Sequence, residues 1–465
     1  MLFRSQSGAL GIDILARVQR RGLGVSSFVS AGNRADVSGN DLLQFWEEDD
    51  DTDVIMLYLE SMGNVGKFLR LARRIGRNKP IVTLRTTGAM SVHPLGHDVP
   101  VSHLQEKARE QLFAASGIID AGSLDEMLDI AEVLRLRGLP EGNRLGLVGN
   151  DSAVATLARN AAEESGLRVE AEPWLTGRVS TADRYRRLLD EAARDPSVDA
   201  ILAFYVPPVE SAEDVRIREV LATVAASIEK PTVAVVVGVS ASAMRSEAAD
   251  GARTGAGLRS LPVFTDVEHA TRALGTLAAY AAWRDAEPGT FGDLHPLPTD
   301  MLEDWPDTEG QEMSGAQALA ALGKLGLPVA AASDGSAAQA SCVLIATVDP
   351  LVGPVLMFGL DDEVTSLLDE YAFAVAPLTQ QDAHRMLDGL KTLPLLRERA
   401  GSAGLDALAA FLARVGDIVV ESPGPVRIEC RPLLVGEKGP VITTASIRGL
   451  SDELGPTWQA RRLGR

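Results

Sequence analysis

Ser5-Gln6-Ser7-Gly8-Ala9-Leu10-Gly11 is the stretch whose reading decides the fold. The apolar residues Leu2 and Phe3 lead into it, and Leu10, Ile14, Leu15 and Val18 lead out at helical spacing. Strand, small-residue turn and helix start follow in that order. Such a turn aims free backbone N–H groups and the positive end of a helix dipole at whatever lies above it, and the guest this suits is a phosphate or carboxylate. Ser5, Gln6, Ser7 and Gly8 are therefore candidate phosphate-binding residues, although an ordinary tight turn has the same pattern.

Outward from this turn the alternation continues. Short apolar runs at Val54–Leu59, Pro80–Leu84 and Gly117–Asp120 have the composition of parallel strands buried on both faces. Helices are expected over 10–21, 64–77, 103–116 and 123–137, the last with Ser123 as N-cap and acids in its first turn. This order predicts a doubly wound α/β domain over 1–141. Residues 142–287 repeat the plan, with strands at Arg144–Gly149, Val198–Val206 and Pro231–Val239 and helices to Ser165 and over 211–228 and 266–284. Ligands bind outside the carboxyl ends of strands in such sheets. Asn33 and Asp36, Glu60 at the end of VIMLYLE, and Asn150 and Ser152 are accordingly candidate ligand-binding residues; the competing reading of each is a helix cap or loop residue. Residues 288–312, rich in Pro, Gly and acids, are expected to form a linker outside any core, followed by an α+β segment over 313–465.

The net charge is −19, from 45 basic and 64 acidic residues, which argues against nucleic acid or an anionic membrane as partner. The acid run Glu47–Asp53 is expected to be a solvated loop rather than a metal site. Cys342 and Cys430 stand far apart without CxxC spacing, so neither a disulfide framework nor a zinc site is expected. No leader pattern is visible and no apolar run approaches the roughly 18 residues of a membrane span. The chain reads as cytosolic.

Taken together, SQSGALG, FVSAGNRADVSGNDLL (Phe28–Leu43), VIMLYLE (Val54–Glu60) and KPIVTLRTTG (Lys79–Gly88) resemble the ADP-forming acyl-CoA synthetases, acetate–CoA-ligase-like relatives of succinyl-CoA synthetase. The likeness covers most of the chain and is nearest the actinobacterial subtype fused to a GNAT acetyltransferase. It implies two tandem flavodoxin-like domains. GPVLMFGL (Gly353–Leu360), YAFAVAPLTQQDA (Tyr371–Ala383) and PVRIECRPLLV (Pro425–Val435) are similar to the latter half of the family's ATP-grasp domain, so 313–465 is expected to be a truncated ATP-grasp-like domain.

The family carries its phosphoryl group on a histidine, whose neutral nitrogen is nucleophilic near neutral pH. Counting back from Gly117-Ile118 puts that role on His97. The family's His-Thr-Gly-Ala-Leu is replaced here by His97-Asp98-Val99-Pro100, and three readings stay open: a phosphoryl carrier, a loop histidine without chemistry, or a metal ligand with His93 and His103. In the ATP-grasp part the departures run one way. Only Ala330–Ala340 separates Val329 from Ser341, where the family has a whole nucleotide-binding lobe. Phe-Gly-Leu-Gly-Gly becomes Phe358-Gly359-Leu360-Asp361-Asp362, a family glutamate falls at Ser366, Asp-Ile-Asn-Pro-Leu becomes Glu429-Cys430-Arg431-Pro432-Leu433, and Asp-Ala-Arg-Ile becomes Thr444-Ala445-Ser446-Ile447. Glu429 is left as the metal candidate, with the cation of Arg431 where an oxygen ligand belongs.

The resemblance implies CoA, ATP and Mg²⁺ as cofactors, and these substitutions argue against their retention here. The family also places a CoA-binding domain before the SQSG turn. A separate subunit, a shortened descendant and a misassigned start all accommodate its absence. The expectation is a degenerate acyl-CoA-synthetase-like protein, oligomeric, that binds an acyl-CoA or phosphate-bearing metabolite or regulates a partner acetyltransferase or ligase. The alternative is an acetate–CoA ligase subunit that works through phosphohistidine with CoA-binding or GNAT partner chains.

Overall fold

The structure, a computed structural model, describes residues 2–5, 8–30, 38–60, 64–85, 102, 104–177, 181–207, 212–225, 228–239, 261–291, 305–306, 309–330, 339–361 and 370–451. Two compact units are present. One comprises Met1–Glu60, Ala72–Thr87 and Gly117–Ala286; the other comprises Ser61–Leu71, Gly88–Ser116 and Glu287–Arg465.

The first unit holds two parallel sheets. Strands β1 (Leu2–Ser5), β2 (Ser27–Ser30), β3 (Ile55–Leu59), β4 (Ile81–Arg85) and β5 (Ile118–Ala121) pair in the order β2-β1-β3-β4-β5, every pair parallel. The run at 54–59 becomes β3, with Ile55, Met56 and Leu57 buried as a strand covered on both faces requires. Strands β6 (Leu145–Gly149), β7 (Trp174–Leu175), β8 (Ala200–Tyr205), β9 (Thr232–Val236) and β10 (Val263–Phe264) form the second sheet, ordered β10-β9-β8-β6-β7 and again parallel.

One apolar cluster takes residues from both sheets, among them Val82, Ile119, Leu145, Leu202 and Val233. Its centre is the helix Val267–Asp285, which packs against the helices Leu124–Arg137 and Ser152–Glu164. Gly275 is needed there, since a Cβ would stand 2.2 Å from the carbonyl oxygen of Ser165. The last turn of this helix is closed by Arg77. Its Nη1 donates to the carbonyls of Trp283 and Arg284 and to that of Ala286, and its guanidinium lies 4.4 Å from the Trp283 ring centroid. A cation at the carboxyl end of a helix satisfies the orphan carbonyls and the negative dipole end together.

The second unit is built on an antiparallel sheet: β11 (Glu312–Ser314), β12 (Ala340–Asp349), β13 (Gly353–Leu360), β14 (Ala372–Val375), β15 (Val426–Gly436), β16 (Gly439–Ile442) and β17 (Ala445–Gly449). The order is β11-β17-β15-β12-β13-β14, with β16 on β15. Alternation sorts the faces. Cys342, Leu344, Ala346, Leu356, Phe358, Ile428 and Cys430 enter the core, which the helices Ala316–Lys324, Gln380–Asp388 and Leu393–Glu421 complete. The stretch expected to stay outside any core supplies Trp305, 2 % exposed, to this cluster. One indole is enough to anchor a polar segment, and composition averages that residue away.

The helix Glu106–Ala115 closes the β14 edge. Its Gln111 amide donates to the Tyr371 carbonyl at 3.0 Å and accepts from the Phe373 N–H at 2.9 Å, as a further strand would. Lys107 pairs with Glu370 at 3.3 Å, and Ser102 donates to the buried Asp349 at 3.0 Å.

Candidate functional site

In the first sheet the chain passes from β1 to β2 on one side and to β3 on the other. The switch point therefore lies at the carboxyl ends of β1 and β3, where open α/β sheets bind ligands. Ser5 is the last residue of β1 and Gly8 opens the helix Gly8–Arg20, so the strand and the helix expected on either side of the turn are both present. Glu60 follows β3 directly, half-buried. The Tyr58 phenol is pushed up by burial and by the Glu60 carboxylate, to which it hydrogen-bonds, so Glu60 already holds one partner. Gln6, Ser7, Asn33, Asp36 and His97 lie outside the described residues.

The same edge carries a pair that sequence reading missed. Arg85 ends β4 and donates through Nε to Asp120 on β5, at 3.1 and 3.0 Å to its two oxygens; Thr83 donates to the same carboxylate at 2.7 Å. The Arg85 side chain is 9 % exposed. The available signal was an arginine and an aspartate at the ends of two otherwise apolar strands, where a buried charge must find a partner.

In the second sheet the switch lies between β6 and β8, and Asn150 sits on it, buried. Its Nδ2 donates to the Val206 carbonyl and its Oδ1 accepts from the Val206 N–H, both at 2.8 Å. The side chain thus continues the β6–β8 ladder past the point where the strands end. Asp151 caps the next helix by accepting from Ala153 and Val154 N–H at 2.9 and 3.2 Å, and Ser152 is the exposed first helical residue. Of the Asn-Asp-Ser turn, two side chains serve the backbone.

The antiparallel sheet brings the candidate residues of β13 and β15 together. Arg427, Glu429 and Arg431 alternate on the face of β15 away from the core. Arg431 Nε lies 2.8 Å from Asp361 Oδ1, just past β13, and Arg427 Nη2 lies 3.1 Å from Glu429 Oε2. The charges of Asp361 and Arg431 therefore compensate each other. Cys430 between them points inward; burial, then the neighbouring Glu429, pushes its thiol up to about 12, which removes it as a nucleophile. A hard cation takes about six oxygen ligands. Asp361 and Glu429 are each held by a guanidinium, and no group of three or more His, Cys, Asp or Glu suited to a metal occurs among the described residues. As placed, both carboxylates are engaged by guanidiniums rather than presented to a cation.

The same face floors a cleft of about 1090 Å³ in the second unit. Ile345, Val355, Met357 and Phe373 line one end and Arg427 and Arg448 the other. No helix among the described residues is long and apolar enough to cross a membrane.

Residues 2–134 match the succinyl-CoA ligase like flavodoxin domain, and residues 314–448 match the ATP-grasp domain. The chain is 24% identical to acetate–CoA ligase (ADP-forming) I of Archaeoglobus fulgidus and 23% identical to 4-hydroxybutyrate–CoA ligase (ADP-forming) of Nitrosopumilus maritimus, in each case over 94% of this chain and 76% of the relative. It is 28% identical to the alpha subunit of acetate–CoA ligase (ADP-forming) I of Pyrococcus furiosus, over 60% of this chain and 64% of that one. Among solved structures, the apo dinucleotide-forming acetyl-coenzyme A synthetase 1 of Ca. Korarchaeum cryptofilum superposes with a TM-score of 0.51 at 25% identity, over 61% of this chain and 65% of that chain. A second structure of that enzyme, with phosphate and ADP, gives the same figures. The resemblance seen in the sequence holds: the chain carries a succinyl-CoA-ligase-like flavodoxin domain and an ATP-grasp domain on an α/β fold with parallel sheets, and its homologues are ADP-forming acyl-CoA ligases.

Proposed function

We propose that this homologue of the ADP-forming acyl-CoA ligases binds a small ligand, an acyl-CoA or phosphate-bearing metabolite, or regulates a partner ligase or GNAT acetyltransferase, without turning over ATP itself. The observation that carries the reading is the 2.8 Å pair between Asp361 and Arg431. A polyphosphate with its metal is served by glycine backbone at the first of these positions and a neutral oxygen ligand at the second. Here a carboxylate repels the phosphates and a guanidinium takes up the carboxylate.

A second reading makes the chain a ligase subunit that relays phosphate through His97. It is favoured by the division of the Pyrococcus furiosus enzymes into alpha and beta subunits, both of which this chain matches in part. The test is phosphate transfer from γ-labelled ATP with Mg²⁺, to the chain alone and with an intact ATP-grasp homologue. No acid-labile label in either mixture is the expected result. Label lost in His97→Ala and formed only with the homologue would establish the second reading. Label with the chain alone would refute the first.

A further inference from the structure

The antiparallel sheet places two guanidiniums where sheets normally avoid like charges. Arg427 on β15 and Arg448 on β17 are Cα partners in register, and both line the cleft. Like charges directly opposite across an antiparallel pair repel. Each arginine is relieved by one carboxylate through one terminal nitrogen: Glu429 at 3.1 Å for Arg427, and Glu312, the next residue across the sheet, at 3.2 Å for Arg448. The Arg448–Glu312 contact is exposed, at 60% and 41% of side-chain surface, and the Arg427–Glu429 contact is partly so, so water screens the first well and an incoming anion exchanges with it at little cost. Two guanidiniums side by side that open on a cavity offer donors that one oxyanion can bridge.

At the other end the rows of β12, β13 and β14 present Ile345, Val355, Met357 and Phe373. In cross-strand register these form a continuous apolar strip, Phe373 opposite Met357 and Met357 opposite Ile345. A volume of about 1090 Å³ accommodates a metabolite of ordinary size. Among the described residues no lysine lines the cleft, and Glu309, Glu312 and Asp349 do, which disfavours a polyphosphate.

From this geometry we infer that the cleft binds an amphipathic molecule with an apolar body over Ile345, Met357 and Phe373 and a single oxyanion head bridging Arg427 and Arg448, without metal. This gives a site to the ligand-binding half of the proposed function and rests on it in that respect, but it does not depend on the fate of ATP. The test is isothermal titration of the full chain, in metal-free buffer without nucleotide, with octanoate, phenyl phosphate and 1-octanol. Octanoate or phenyl phosphate is expected to bind, octanol at least tenfold more weakly; which anion binds tighter identifies the head group. Arg448→Gln and Met357→Trp, one removing the head-group contact and the other filling the strip, are each expected to weaken binding tenfold or more. Arg216→Gln, a surface arginine of the first unit, is expected to leave it unchanged. Equal binding by octanol, or unchanged binding in both cleft variants with thermal melts matching wild type, would overturn the assignment. So would Mg-ATP displacing the anion. A labelled-ATP experiment that finds phosphotransfer would refute the proposed non-turnover without touching this result.

Discussion

The bridge made by Asn150 gives the sharpest separation of a structural role from a ligand-binding one. Asn150→Ala removes two hydrogen bonds, each 2.8 Å long, between its amide and the Val206 backbone. Neutral bonds of this kind contribute about 1 kcal/mol each, and the stranded Val206 groups add a desolvation cost. Val206 is half-buried, so water recovers part of that cost. The expected loss is about 2–3 kcal/mol in the first unit, a rise of about 30- to 150-fold in the opening equilibrium. Asn150→Asp is the informative companion. Its carboxylate accepts from the Val206 N–H, but its second oxygen then faces the Val206 carbonyl, where the amide had donated. The substitution is expected to be at least as damaging as alanine at neutral pH. The carboxyl proton restores the missing donor, so the folded-state pKa of this aspartate lies above its unfolded value of about 3.9. Its stabilising contribution is then full below the unfolded pKa and lost as pH rises through the folded one. Hydrogen exchange of the β6 and β8 amides reads both variants, which avoids assuming two-state unfolding for a chain of two units. Exchange in Asn150→Ala within threefold of wild type, or an Asn150→Asp variant as stable as wild type at pH 7, would refute the bridging argument and return Asn150 to the ligand candidates.

Gly117→Ala should cost about 2–4 kcal/mol, read by thermal melting. Gly117 has φ of 71° and a Cβ there would stand 2.2 Å from the Trp283 ring, which stacks on Tyr280, so backbone strain and overpacking add. Arg431→Ala should shift stability by less than about 1 kcal/mol, because Arg431 is 55% exposed and its pair with Asp361 is screened; a larger loss would show that the pair holds β13 and β15 together. Burial works to raise the Glu370 carboxyl, but the Lys391 N–H and the Lys107 ammonium outweigh it and hold it below the usual glutamate range. The stability Glu370 contributes is thus present above about pH 4.3 and lost as pH falls through its lower folded value. Glu370→Gln should flatten that acid limb of the melting profile while lowering stability at pH 7.

Strand and helix order in the first unit was legible because period carries it. VIMLYLE has room for only one extended, twice-covered strand, and Leu10, Ile14 and Val18 define one helical face. Caps were legible for the same local reason: Ser123 accepts from Glu126 N–H as its position implies. The turn after β6 was read as a cap or an anion site. Its use as a bridge depends on Val206, 56 residues later in the chain, and local sequence carries no trace of that partner. Trp305 was lost to averaging over a polar segment.

In the ATP-grasp part the sequence alone carried the likeness to that domain and the identity of the charged residues Asp361, Glu429 and Arg431. Only the tertiary structure decided that Asp361 and Arg431 neutralise each other, and that Arg427 and Arg448 stand opposite in register over a cleft. The physical reason is one of range. Periodicity and capping are set by neighbours a few residues apart, whereas a charge acts on whatever the fold brings within a few ångströms, and the antiparallel ladder pairs residues that the chain keeps far apart.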